Sequence, residues 1–170
     1  MADVEIDPEA IAVCKNNLHA PVYRPEEVAG LPGNQFDVVT LWDAIEHFHD
    51  PARHLRDACR LLRPGGVLYL RTPNARLFDL TRRYRDSSRS NLYPNEHLYH
   101  FTPGPLRRLL EQSGFASVRF WAHGTKGNHL LAGEPFLRLK APRWGKKLLF
   151  HLSHGRINIY PNLVATSRKT

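Results

Sequence analysis

Residues Phe36 to Asn74 read FDVVTLWDAIEHFHDPARHLRDACRLLRPGGVLYLRTPN, and the fold is decided in this stretch. FDVVTLW is a short apolar run with Val38, Val39 and Thr40 in it, the composition of a buried strand. Asp50-Pro51 marks a helix start, with an aspartate to cap free amides and a proline at the first helical position. Ala52, Leu55, Cys59 and Leu62 then recur at helical spacing, one apolar stripe on an otherwise Arg-rich helix. Pro64-Gly65-Gly66 stops that helix, and VLYLRT, from Val67, begins a second β-rich run. A strand, a crossover helix of about three turns and a second strand make a βαβ unit. Its strands are expected to be parallel and its connection right-handed. The loop after the first strand, WDAIEHFH, carries more titratable groups than a connector needs. Ligands of parallel sheets sit beyond the carboxyl ends of the strands, and this loop leaves from such an end.

On the amino-terminal side, Val4-Glu5-Ile6 reads as a strand end, Asp7 as a helix N-cap and Pro8 as the first helical residue. Ile11, Cys14 and Leu18 form that helix's stripe. Ala20 to Arg24 is a short strand, followed by Glu26-Glu27 and the turn LPGNQ. Beyond Asn74 the chain is Arg-rich and irregular. Leu77, Leu80 and Tyr84 could share a helix face, but Ser87-Ser88 and Ser90-Asn91 break it. TPGPLRRLLEQSGF is a clear helix, with Thr102 as N-cap, Pro103 in the first turn, Leu106, Leu109 and Leu110 inward and Gly114 as C-cap. VRFWAH, from Val118, is a strand, and INIYPNLVATSRKT closes the chain as another. Between them, APRWGKKLLFHLSH has the pattern of an amphipathic helix, which either packs on the core or touches a membrane surface through residues 143–152.

The 170 residues leave room for one domain. No run approaches the roughly 20 apolar residues of a membrane span, and the acidic MADVEIDPEA has no signal-peptide core. Cys14 and Cys59 both fall on expected helices, which suggests buried thiols in a reducing compartment, so the expected location is the cytoplasm. The net charge of +8 is unevenly placed: ten arginines against three acids between Arg53 and Arg89. Such a segment is either a solvated helix face with a basic loop or an attractor for an anionic substrate such as a nucleotide-sugar, phospholipid or RNA. No RNA-binding motif accompanies it, so nucleic acid is not the expected partner.

FDVVTLWDAIEH, DP, LLRPGG and TPN, in this order, resemble the central motifs of class I S-adenosylmethionine-dependent methyltransferases. The nearer resemblance is to the branch of ubiquinone-type O-methyltransferases and glycan-cluster enzymes, and NEHLYHFTPGPLRRLLEQSGF, from Asn95 to Phe115, matches that branch again. The resemblance implies an α/β fold with a Rossmann-like sheet and S-adenosylmethionine as cofactor. It also implies that the last strand is antiparallel, and that residues 74–102 lie over the active site as a lid that contacts substrate. In that family an acid ending the second strand grips the cofactor's ribose hydroxyls. Here that acid is Glu5, with Ile6 beside it; a carboxylate accepts hydrogen bonds from two vicinal hydroxyls at once. The plainer alternative for Glu5 is an acid favoured by a helix dipole. An acid near the adenine would be Glu26, and Trp42 and Asp43 complete the expected cofactor set. The family's first strand and Gly-rich cofactor loop lie upstream of the ribose acid, and no Gly-x-Gly pattern occurs in these residues. The expectation is therefore a single partial methyltransferase domain over residues 1–170, lacking that strand and loop. Family order places the first strand between the second and fourth. The Phe36 and Val67 strands should then pair in parallel with the two last strands beyond them, while those near Val4 and Val22 pair elsewhere.

Methyl transfer is an in-line displacement at a sulfonium carbon, and a hydroxyl acceptor must lose a proton. His47 suits that task as general base. His97, Tyr99 and His100, in the lid, are the expected substrate contacts. Bracing of the loop is the alternative for each histidine. Asp43, Glu46 and His47 also form D-x-x-E-H, and with lid histidines they could hold Mg²⁺ or Mn²⁺. Small-RNA 2′-O-methyltransferases and some quinone O-methyltransferases look similar, with glutamate where Asp43 stands. A base or a brace is preferred here to a metal site. The reading is a methyltransferase acting on a hydroxyl of a small molecule, sugar or lipid, with this chain by itself an inactive or weakly binding fragment. Its rivals are a non-catalytic remnant or interaction domain, and an RNA 2′-O-methyltransferase with a metal site.

Overall fold

A computed structural model of the chain describes residues 2–5, 7–18, 21–76, 97–122, 143–153, 160 and 162–170. In chain order its elements are β1 (Asp3–Val4), α1 (Pro8–Leu18), β2 (Val22–Tyr23), a 3₁₀ turn (Pro25–Gly30) and β3 (Phe36–Trp42). A second 3₁₀ turn (Ile45–His47), α2 (Pro51–Leu61), β4 (Leu62–Pro73), α3 (Pro103–Gln112), β5 (Phe115–Trp121), α4 (Arg143–Leu152) and β6 (Asn162–Lys169) follow. Among the described residues the strands form two sheets. β1 and β2 pair with each other in parallel, and the main sheet has the order β3-β4-β6-β5. β3 and β4 are parallel, while β6 runs antiparallel to both of its neighbours, β4 and β5. This is the pairing expected from the sequence. The expected helix face at Leu77, Leu80 and Tyr84, and most of the expected lid, lie outside the described residues.

The helix signals work as their chemistry requires. The Asp50 side chain accepts from Arg53 N at 2.9 Å with Pro51 behind it, and the Asp7 side chain accepts from Glu9 N at 2.9 Å. Thr102 stands at the N-cap of α3, but its hydroxyl makes no capping bond. Gly114 follows the C-cap Ser113 with φ +94°, and a Cβ there would lie 3.0 Å from Cys59 Sγ. The strand after α2 starts earlier than its apolar letters suggest. Leu62 already pairs with Phe36, the register then shifts, and pairing resumes at Val67 opposite Val38, so Pro64-Gly65-Gly66 lie within the strand as an irregularity of the ladder. Gly66 is required there because a Cβ would meet Arg63 O at 2.9 Å and Asp37 O at 3.2 Å.

One face of the main sheet carries the core. Leu68, Leu70 and Thr72 of β4 and Leu163, Ala165 and Ser167 of β6 are buried on it, beneath Leu55 and Ala58 of α2 and Leu106 and Leu110 of α3. Strand period two places Val67, Tyr69 and Arg71 on the other face. The apolar FDVVTLW was expected to be buried, and here the structure corrects the sequence. No residue of β3 is fully buried, and Val38 and Trp42 are 56% and 52% exposed. β3 is an edge strand, and only Val39 and Leu41 pack against the core. Cys14 and Cys59 are free thiols, half-buried rather than buried, on α1 and α2.

Candidate active site

The site is built by five residues that leave β3. Trp42 ends the strand, and the chain then turns at Asp43, which holds the left-handed φ of +45° that aspartate tolerates better than most side chains. Ile45 follows as an apolar peg with no exposure, seated in the core cluster. That peg sets the next two side chains. Glu46 goes inward with it, 1% exposed, while His47 points out to solvent. A 3₁₀ turn closes the arrangement through His47 N donating to Ala44 O at 3.0 Å.

Glu46 is the centre of the site. One carboxylate oxygen, Oε2, accepts from the Thr72 hydroxyl at 2.9 Å. The other, Oε1, is buried with no hydrogen-bond partner among the described residues. The Glu46 carbonyl accepts from Leu98 N at 2.9 Å and Tyr99 N at 3.1 Å, so the segment after residue 96 is strapped to this turn. Burial pushes the Glu46 carboxyl above the usual carboxylate range, outweighing the backbone and Thr72 hydrogen bonds that pull it down.

The strap brings His97 to His47, with ring centres 4.8 Å apart and edge to face. His100 is farther along, its ring centre 6.2 Å from that of His97. Tyr99 is 40% exposed, and its hydroxyl donates to His49 O at 3.1 Å. Ala75 N donates to Phe101 O at 2.9 Å, so the end of β4 holds the same strap. Buried Asn74 donates from Nδ2 to Tyr160 O at 2.9 Å, which ties that end also to the chain just ahead of β6. The ligand-capable atoms of Glu46, His47 and His97 all lie within 4.8 Å of one another. A carboxylate oxygen and two imidazoles suit a divalent cation such as Mn²⁺ or Zn²⁺, and the buried, unmatched Oε1 is the atom such an ion would satisfy.

Asp43 is not in this cluster. Its carboxylate accepts from Arg71 Nε at 3.0 Å and from Arg71 Nη2, a two-pronged ion pair, and its own amide donates to Arg71 O at 2.9 Å. D-x-x-E-H is therefore split by the structure: Glu46 and His47 meet His97, and Asp43 is bound elsewhere. The other expected cofactor contacts are placed as follows. Glu5 follows β1, and its Oε1 accepts from Asp7 N at 3.0 Å, the contact its plainer reading anticipates. Ile6 lies outside the described residues. Glu26 is exposed on the first 3₁₀ turn, and Trp42 is exposed at the carboxyl end of β3, its ring 4.9 Å from that of Tyr69. Arg71, Thr72 and Asn74 were not singled out in the sequence. The signal for them is the alternation at the end of LYLRTPN, where successive side chains must reach opposite faces just where the loop arrives.

Residues 3–119 match a family described as Methyltransferase domain. Among curated proteins, the ubiquinone biosynthesis O-methyltransferase of Xanthomonas oryzae is 37% identical over 78 residues, 42% of this chain and 33% of that protein. Its counterpart in Caulobacter vibrioides is 40% identical over 58 residues, 32% of this chain and 23% of the other. The matches thus span about a third of these relatives' own length or less. Of solved structures, a SAM-dependent methyltransferase from Thermotoga maritima superposes with TM-score 0.61 at 16% identity, over 98% of this chain and 72% of that one. One from Mesorhizobium loti does so with TM-score 0.60 at 17% identity, over 99% and 79%. At these identities the likeness is one of fold.

Proposed function

Because the chain belongs to the methyltransferase-domain family, in its class I S-adenosylmethionine-dependent form, we propose that the whole protein transfers a methyl group from that cofactor to a hydroxyl. The acceptor is a small molecule, sugar or lipid. The observation that carries this is exposed His47 beside buried Glu46 and half-buried His97, beyond the carboxyl end of β3. The names of the curated relatives support oxygen as the atom methylated.

Bound S-adenosylmethionine would supply an electrophilic methyl group on a sulfonium sulfur. Glu5 would offer a carboxylate to its ribose hydroxyls and Trp42 an exposed indole face, with Ile6 and Glu26 completing the set. Asp43 has both carboxylate oxygens committed to Arg71, so it contributes through its turn rather than through a free carboxylate. His47 takes the acceptor's proton from the solvent side, while Thr72 holds Glu46 behind it. His97, Tyr99 and His100 line the approach as substrate contacts. The basic segment after Asn74 suits an anionic acceptor. The two free thiols fit a cytoplasmic setting, and no helix among the described residues is long and apolar enough to cross a membrane. Exposed Leu148 and Leu152 beside Lys147 on α4 suit a peripheral contact with a lipid surface.

The unmatched Glu46 Oε1 favours a second reading, in which Glu46, His47 and His97 hold a divalent cation that polarises the acceptor hydroxyl. Labelled methyl transfer by the whole protein, in excess chelator and across phenol, sugar and lipid acceptors, decides between them. Transfer indifferent to chelator and lost in His47→Ala supports the base. Transfer that disappears with chelator and returns with Mn²⁺ or Mg²⁺ supports the cation. No transfer and no cofactor binding would leave an interaction domain, and salt-sensitive RNA binding would point to an RNA substrate.

A further inference from the structure

The geometry points to Arg71 as a positioning residue that holds the Glu46–His47 turn in register through Asp43. The inference rests on the reading of that turn as the reaction centre. Consecutive residues of a strand face opposite sides of the sheet, and β4 uses two of them to grip one loop. Arg71, on one face, takes the Asp43 carboxylate with two prongs and receives the Asp43 amide on its own carbonyl. Thr72, on the core face, takes the Glu46 carboxylate at 2.9 Å. Between these two anchors stand only Ala44 and Ile45, so the pitch of the turn is fixed from both ends.

The Asp43 end is the one under strain. A non-glycine residue at φ +45° is held in a sparsely populated conformation, which its surroundings must maintain. Beside the backbone bond to Arg71 O and the Ile45 anchor, the side-chain restraint comes from the guanidinium. Its planar fork matches a carboxylate at two points, which an ammonium cannot do. The guanidinium is in turn steadied over the Trp42 ring at 5.0 Å from the ring centre, and Trp42 leans on Tyr69. Aspartate suits the position better than glutamate because a shorter side chain leaves the fork less freedom. The Arg71 charge also attracts the Glu46 carboxylate directly, a smaller effect than its hold on Asp43, and Arg71→Lys keeps that charge while losing the fork.

The test uses Arg71→Ala and Arg71→Lys, with Arg63→Ala as a control. Arg63 forms a single-pronged and more exposed ion pair, 2.7 Å from Asp37, at the far end of β3. Two readouts are needed. The first is independent of activity: imidazole ¹H–¹⁵N signals of His47 and His97, and Trp42 fluorescence. Arg71→Ala should shift both sets of histidine signals and the Trp42 emission, Arg71→Lys should shift them in the same sense, and Arg63→Ala should leave them in place. The second is kinetic, in the whole protein. Arg71→Ala should lower kcat by about 10- to 100-fold with little change in KM for the cofactor, and added guanidinium should restore part of it. Unchanged histidine signals in a folded Arg71→Ala variant would overturn the proposal, as would a loss seen in KM alone. If Arg71→Ala does not fold, Arg71→Lys carries the test by the same signals. An absence of methyl transfer in the unaltered protein would sink the functional reading, while the spectroscopic outcome would still judge Arg71.

Discussion

At the scale of single residues, Glu46 governs how the site responds to pH. Its folded carboxyl lies above the usual range because burial penalises the charge, so the folded chain prefers the protonated form more than the unfolded chain does. That contribution to stability is fully present below the ordinary carboxylate value and is lost as pH rises through the folded one. Glu46→Gln removes the ionisation while keeping the shape. Thermal melts between about pH 4 and pH 7 should show a shallower decline for the variant than for the parent. A variant curve parallel to the parent's would mean that the carboxylate is not penalised by burial. The same residue shows what a sequence conceals. D-x-x-E-H announces three candidate ligands in five positions, and by spacing alone Asp43 and Glu46 belong together. They are separated by Arg71 and Thr72, two side chains of a strand almost thirty positions later, and no local pattern in the loop records that.

At the scale of elements, the helix starts were legible because they rest on local chemistry, while α2 ends at Leu61, ahead of the expected stop at Pro64-Gly65-Gly66. Two caps that look alike in the sequence also differ in the structure. Asp50 accepts from Arg53 N at 2.9 Å, whereas the Thr102 hydroxyl makes no such bond. Asp50→Ala should therefore cost about 1 kcal/mol in denaturant unfolding and Thr102→Ala only a few tenths. Equal losses would show that Thr102 caps in solution after all. Strand limits were read less well. The strand begins at Leu62, which pairs with Phe36, and passes through Pro64, Gly65 and Gly66 as an irregularity before pairing resumes at Val67, because Gly66 lets the backbone pass Asp37 closely. The burial of FDVVTLW was misjudged for a different reason: apolar composition fixes what a strand favours, while its place at the sheet edge fixes what it obtains.

At the scale of the whole molecule, the parallel pairing of β3 and β4 was readable from the order strand, helix, strand, whereas the antiparallel last strand and the separation of β1-β2 from β3-β4-β6-β5 were implied by the family resemblance. The residues expected to meet the cofactor stand on elements of both sheets, so their chemistry, not their spacing, is what links them. With no Gly-x-Gly turn in these residues to direct backbone amides at the cofactor, S-adenosylmethionine should bind this chain weakly or not measurably. Micromolar binding by calorimetry, abolished in Glu5→Ala, would reverse that expectation and establish Glu5 as the ribose acid. The edge position of β3 also dictates how its amide protons are lost to solvent. A parallel strand directs alternate amides to opposite sides, so every second amide of β3 is bonded to β4 and every other one points away from it. Deuterium uptake along Phe36–Trp42 should therefore run in a fast-slow rhythm of two, while β4 and β6, flanked on both sides, exchange slowly throughout. Uniformly slow exchange along β3 would mean that its outer rim is covered, and the rhythm would reappear wherever the covering segment itself ends.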